Sequence, residues 1–161
     1  MSDEWHTHHM IALHVLTVTA ALVSGLMVLV LPKGSVAHKR LGWLYLASTV
    51  VMALSSFGIY ELRSGPSLFH AVSVMMLIAV GLGVYQPLRR KRSSTWLFWH
   101  LLLLQISYVM LVVTGIAQFF DRLPFSSPAA NAVVFLQLPL ITGIVFIALS
   151  ARSHRMTRVP A

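Results

Sequence analysis

The sequence predicts an all-α integral membrane protein: an up-down four-helix bundle core plus a fifth transmembrane helix, with the amino terminus outside and the carboxyl terminus inside. Three observations carry that expectation. Of the 161 residues, 57% are hydrophobic and only 10% are charged, where a soluble domain carries about 25% charged residues. Five apolar runs come close to the roughly 20 residues that a helix needs to cross a hydrocarbon layer about 30 Å thick. The basic residues fall almost entirely into alternate loops, as expected of short loops retained on the cytoplasmic side.

The first run covers residues 10–31, and the acidic start with Asp3 and Glu4 reads as a retained span rather than a cleaved signal peptide. Lys33, Lys39 and Arg40 follow it. The second run covers residues 41–60 and leads to Glu61 and Arg63; the third covers 67–88 and stops at Arg89, Arg90, Lys91 and Arg92. The fourth, 96–120, meets Asp121 and Arg122. The fifth, 132–150, contains Gln137 and Pro139, which a packed membrane helix tolerates. Arg152, Arg155 and Arg158 close the chain. With five spans, ten basic residues lie on one side and all four acids on the other. The net charge of +8 therefore reads as topology. Nucleic-acid binding is excluded, because the basic residues punctuate apolar runs and line no polar face. The run Arg89–Arg92 also suits anionic lipid headgroups. The expectation is one transmembrane domain over 1–161, in a bacterial inner (plasma) membrane.

With no cysteine, disulfides, iron–sulfur clusters and thiolate metal sites are excluded, and the eight histidines become the strong ligands available. No nucleophile triad, phosphate loop or paired carboxylate appears, and none of the four acids is mid-membrane. Hydrolase and kinase chemistry have no basis.

Four histidines begin four helices. His14 and His70 sit at the outer ends of the first and third, His38 and His100 at the inner ends of the second and fourth. An internal repeat underlies this: His14, Thr17, Val18, Gly25, Leu26, Val28 match His70, Ser73, Val74, Gly81, Leu82, Val84 at the same offsets. In an up-down bundle alternate helices face each other diagonally, so each level can clamp a group at the axis. Helical spacing puts Gly25 under His14 and Gly81 under His70, about 16 Å along and so near the opposite histidine level. A flat macrocycle there needs the missing side chains. Below His38, Gly42, Tyr45, Thr49, Met52 and Ser56 form one stripe; below His100 the stripe is Ser107, Thr114, Gln118 and Asp121.

The plainer reading is that small residues let membrane helices approach and that hydroxyls bond back to their own helix. A single intramembrane histidine is more often packed than ligating. Four at alternating ends of polar faces are costly in lipid and point to function.

The segment KGSVAHKRLGW beginning at Lys33, together with His14, His70 and His100, resembles the small bacterial membrane proteins grouped as domain of unknown function 2306. More distantly the scheme is similar to the cytochrome b561 type, a four-helix core with two b haems. That resemblance implies bis-histidine ligation by His14 with His70 outside and His38 with His100 inside. It also implies electron exchange with a quinone or small soluble redox partner. His38 here precedes its apolar run, and no ascorbate-site motif is visible.

The HTHH segment offers His6, His8 and His9 as a second metal site with Glu61 and Asp121, a donor set suited to zinc or copper, although such tails are usually just solvated. Trp43, Tyr60, Trp96 and Trp99 lie near span ends, where aromatic residues anchor at headgroup level. Three classes stay open: a dihaem electron carrier with oxidoreductase character, a metal-binding or cofactor-handling membrane protein, and a cofactor-free interaction or transport module.

Overall fold

The computed structural model describes residues 2–59, 68–89, 95–125 and 127–156. Every regular element among them is helical: α1 (Ser2–Val30), α2 (Val36–Gly58), α3 (Leu68–Leu88), α4 (Trp96–Ala117), a 3-10 turn (Phe120–Arg122), α5 (Pro128–Asn131), a π-helix (Ala132–Gln137) and α6 (Leu138–Met156). Five stretches are long and apolar enough to cross a membrane: His8–Val30, Val36–Gly58, Phe69–Leu88, Trp96–Ala117 and Pro128–Ser150. Large apolar side chains lie exposed along α1 (Leu16, Val23, Val30), α3 (Met75, Ile78, Leu82) and α6 (Ile141, Ile144, Leu149). A water-soluble protein does not expose so much apolar surface, and a bilayer is the environment that accepts it.

The first, second and fifth spans start ahead of their apolar runs, whereas α3 (Leu68–Leu88) and α4 (Trp96–Ala117) stay within the expected 67–88 and 96–120, α4 stopping three residues short. α1 begins at Ser2 rather than residue 10, ahead of the apolar run. α2 begins at Val36 rather than 41, with Ser35 Oγ accepting the His38 N–H at 3.1 Å. His38 thus lies in the first turn of α2 and not ahead of it. Between these helices Pro32 ends α1, Gly34 takes the left-handed conformation at φ 81°, and Lys33 Nζ donates to Val28 O at 2.9 Å and Leu29 O at 2.7 Å. Lys33 therefore caps the negative end of α1.

The fifth span starts at Ser127 and Pro128 rather than 132, with Ser127 Oγ accepting the Ala130 N–H and Pro128 in the first turn. Its π-helix carries an i→i+5 bond from Leu138 N–H to Val133 O. The wide turn lies just ahead of Pro139, which has no N–H to give the helix ladder.

The chain divides into two compact units, Met1–Leu77 and Ile78–Ala161, with the boundary inside α3. In the first, α1 packs on α2 through Ala21, Ser24 and Gly25 on one side and Tyr45, Ser48, Thr49 and Met52 on the other, all buried. The expected stripe below His38 is thus largely the buried face of α2, although Thr49 Oγ1 is enclosed there with no hydrogen-bond partner among the described residues. In the second, α4 packs on α6 with Val109 against Gly143, where an added Cβ would lie 2.5 Å from Val109 Cγ2. Gln105 Nε2 donates to Ser150 Oγ across the same pair at 3.2 Å.

The connection into the fifth span is held by Asn131, which is 6% exposed. Its Oδ1 accepts from Phe125 N at 3.1 Å and its Nδ2 donates to Phe125 O at 2.9 Å, so one amide satisfies both main-chain groups of a loop residue. Asn131→Ala strips both partners and should destabilise the protein by about 1–3 kcal/mol, the usual penalty for stranding buried polar groups. A lowered midpoint in detergent thermal unfolding checks this; an unchanged midpoint would show that water replaces the amide.

Candidate functional site

Among the candidate ligands, His14 is the most fully specified. The half-buried ring, on α1, faces α2: Nδ1 lies 3.1 Å from Met52 O and 2.9 Å from Ser55 Oγ. A carbonyl only accepts, and the Ser55 hydroxyl already donates to Met52 O at 2.8 Å. Nδ1 must therefore carry the proton, and Nε2 keeps its lone pair. Thr17 Oγ1 bonds back to His14 O and Leu13 O, holding its hydroxyl on its own helix.

His70, in the same unit, packs its ring against Phe57 of α2, with centroids 5.4 Å apart and planes at 43°, and its Nε2 is buried. One turn further along α3, Ser73 Oγ accepts from Ser56 Oγ at 3.2 Å and donates to Phe69 O. The last turn of α2 thus engages the helices of both His14 and His70: Ser55 on α1, Ser56 and Phe57 on α3. His38 sits at the other end of α2, half-buried with Nδ1 enclosed.

In the second unit His100 repeats the His14 arrangement. Its Nδ1 lies 2.8 Å from Gly83 O on α3, so it too donates and leaves Nε2 with a lone pair. Neither His14 Nε2 nor His100 Nε2 makes a hydrogen bond among the described residues. Trp96 lies one turn before His100, ring centroids 6.4 Å apart.

The two glycines expected to make room differ. Gly25 is buried, whereas Gly81 is exposed and an added Cβ there would meet nothing within 4 Å. The close approach on α3 is instead at Gly83, where a Cβ would lie 3.0 Å from Leu104 Cδ2 and 3.2 Å from Leu103 Cβ. The repeat visible in the sequence is therefore not matched by equal surroundings. On α4, Ser107 is buried and Thr114 half-buried, but Gln118 is exposed, so the stripe below His100 runs out past the carboxyl-terminal end of the helix.

His6, His8 and His9 lie exposed along the start of α1. Glu61, their expected carboxylate partner, lies outside the described residues, and so does the side chain of Asp121. Among the described residues no group of three or more His, Asp or Glu side chains is placed to hold a metal ion. A bis-histidine site needs only two ligands and an enclosing apolar pocket.

Sequence reasoning missed Ser55 and Gly83. A serine pair at 55–56 inside an apolar span was a visible signal; Gly83 acts through its carbonyl, which no side chain announces. No protein-family model matches this chain, and neither a curated protein nor a solved structure does, so the assignment of its site rests on these histidines and their partners.

Proposed function

We propose that the chain is a b-type dihaem cytochrome that moves electrons across a bacterial inner membrane, with a haem near each face, and exchanges them with a quinone or small soluble redox partner. The observation that carries this reading is the shared state of His14 and His100. Each donates Nδ1–H to a main-chain carbonyl on a neighbouring helix, and each keeps Nε2 as the donor nitrogen. Metal-ligating histidines characteristically use their second nitrogen in this way, which fixes the tautomer, orients the ring and strengthens the ligand. A histidine serving only as a packing residue does not require it at both levels.

His14 and His70 are the outer ligands on this reading, and the sequence supplies His38 and His100 for the inner haem. The open space beside Gly81 suits a bulky flat group. When bound, haem b supplies one-electron chemistry at a potential set by its ligands and its pocket. The chain's own part is to hold the imidazoles and keep the site apolar. The segregation of ten basic from four acidic residues supports an outer amino terminus and an inner carboxyl terminus, and the four-helix core with one added span belongs to the same proposal.

A visible spectrum of the purified protein tests the reading. Sharp bands on dithionite reduction, with haem released by acid extraction, are expected. Colourless protein containing zinc or copper would favour metal handling through the same histidines. Protein with neither metal nor colour would favour an interaction or transport module.

A further inference from the structure

Resting on the haem reading for its purpose but not for its geometry, we infer that Ser55 is a positioning residue that holds His14 in the Nδ1–H tautomer and presents Nε2 as the ligand nitrogen. Ser55 is 3% exposed and belongs to the last turn of α2, while His14 belongs to α1, so the contact joins two helices. Its single hydroxyl proton goes to Met52 O at 2.8 Å. That leaves Oγ as an acceptor, and the Nδ1–Oγ distance of 2.9 Å is shorter than the 3.1 Å to Met52 O.

The three groups form a closed triangle in which the chain from Nδ1–H through the Ser55 hydroxyl to Met52 O is mutually reinforcing, while the direct contact of Nδ1 with Met52 O shares the same proton. Donation by Ser55 to Met52 O orients the hydroxyl lone pairs at the imidazole, and the imidazole proton is shared between the two oxygens. Such coupled bonds in a low-dielectric interior polarise one another. Without the hydroxyl, Met52 O is the one remaining acceptor, at the longer distance. The ring then gains freedom to turn over and offer Nε2–H to the same carbonyl, which withdraws the lone pair from any ligand. Among the described residues no hydroxyl joins His100, whose Nδ1 meets Gly83 O at 2.8 Å. The outer level is thus sensitive to one serine and the inner level is not.

The test uses the full-length protein in detergent, with ¹⁵N-labelled histidine, first haem-free and then titrated with haemin. Haem-free wild type should show His14 as the Nδ1–H tautomer. Ser55→Ala should show a mixture of tautomers at His14 and an unchanged His100. On titration, Ser55→Ala should hold the outer haem about 10- to 100-fold more weakly, the usual effect of removing a hydrogen-bond partner of a metal ligand, with the inner haem unaffected. Ser55→Thr, which keeps the hydroxyl, should restore both signals. Should Ser55→Ala fail to fold, Ser55→Cys, with a weaker acceptor of similar size, should show the same shift in smaller degree. An unchanged His14 tautomer and unchanged haem retention in a folded Ser55→Ala or Ser55→Cys protein would overturn the assignment. A tautomer shift in protein that binds no haem at all would uphold the role of Ser55 and reject the haem reading, so the two failures are separable.

Discussion

On the dihaem reading, purified His70→Ala protein should carry about one haem per chain where the wild type should carry about two, with the remaining haem keeping its own redox midpoint. The reason is the proposed ligand assignment, in which His70 serves with His14, both beside the last turn of α2, and not with His38 and His100. On that assignment, removing the imidazole would take away one haem ligand, together with a ring contact with Phe57 at 5.4 Å. The ring contact is replaceable; the ligand is not. His70→Phe keeps an aromatic ring against Phe57 and should lose the same haem. Pyridine haemochrome quantitation with a redox titration reads both variants. Full haem content in either would remove His70 from the ligand set, and loss of both haems from His70→Phe would show that the levels are not independent.

On the same reading, Gly81→Leu should lower the inner haem's occupancy or shift its midpoint while sparing the outer haem, although the same helix carries His70, the proposed outer ligand. The surroundings of Gly81 sharpen this expectation. A Cβ at Gly81 meets nothing within 4 Å, so a leucine there costs the protein no overpacking and interferes only with what fills the open space. Gly83 is the control on the same helix. Its Cβ would press on Leu104 and Leu103, and its carbonyl receives the His100 proton. Gly83→Leu should therefore destabilise the fold by about 1–3 kcal/mol, the ordinary cost of overpacking. Thermal unfolding and haem titration together separate the two. If Gly81→Leu retains two unaltered haems, the space beside Gly81 faces only lipid.

Much of the fold was legible because bilayer thickness is an external ruler. Any run of about 20 apolar residues bounded by charge has few alternatives. The helix ends were not legible from that ruler, since helices continue past the hydrocarbon wherever a cap or a favourable charge supports them. Ser35 ahead of Val36 and Ser127 ahead of Pro128 are such caps, and both were present in the sequence as ordinary start signals that an apolar count passes over. The candidate site was legible in its side chains and illegible in its main chain. Histidine announces itself by type and spacing, so His14 and His100 could be named as candidates. Their partners, Met52 O and Gly83 O, are groups that every residue carries. Only the packing of α1 on α2 and of α3 on α4 selects which carbonyl receives the proton. Gly81 and Gly83, two residues apart on one helix, make the same point: spacing alone chose the one in open space and passed over the one in close contact.

The wide turn at Ala132–Gln137 has the effect of one residue inserted into an otherwise regular helix. Such an insertion turns everything after it by about 100° around the helix axis, the arc of a single residue. Gly143 and Ser150, which face Val109 and Gln105 of α4, lie beyond it. The face that α6 offers to α4 is therefore set upstream, by a local winding error that Pro139 helps to stabilise. In genetic terms the turn is a frame within the helix: loss of one residue between 132 and 137 would leave composition and hydropathy almost untouched. It would nevertheless swing the glycine and the serine off α4 and bring the lipid-facing side of α6 round in their place.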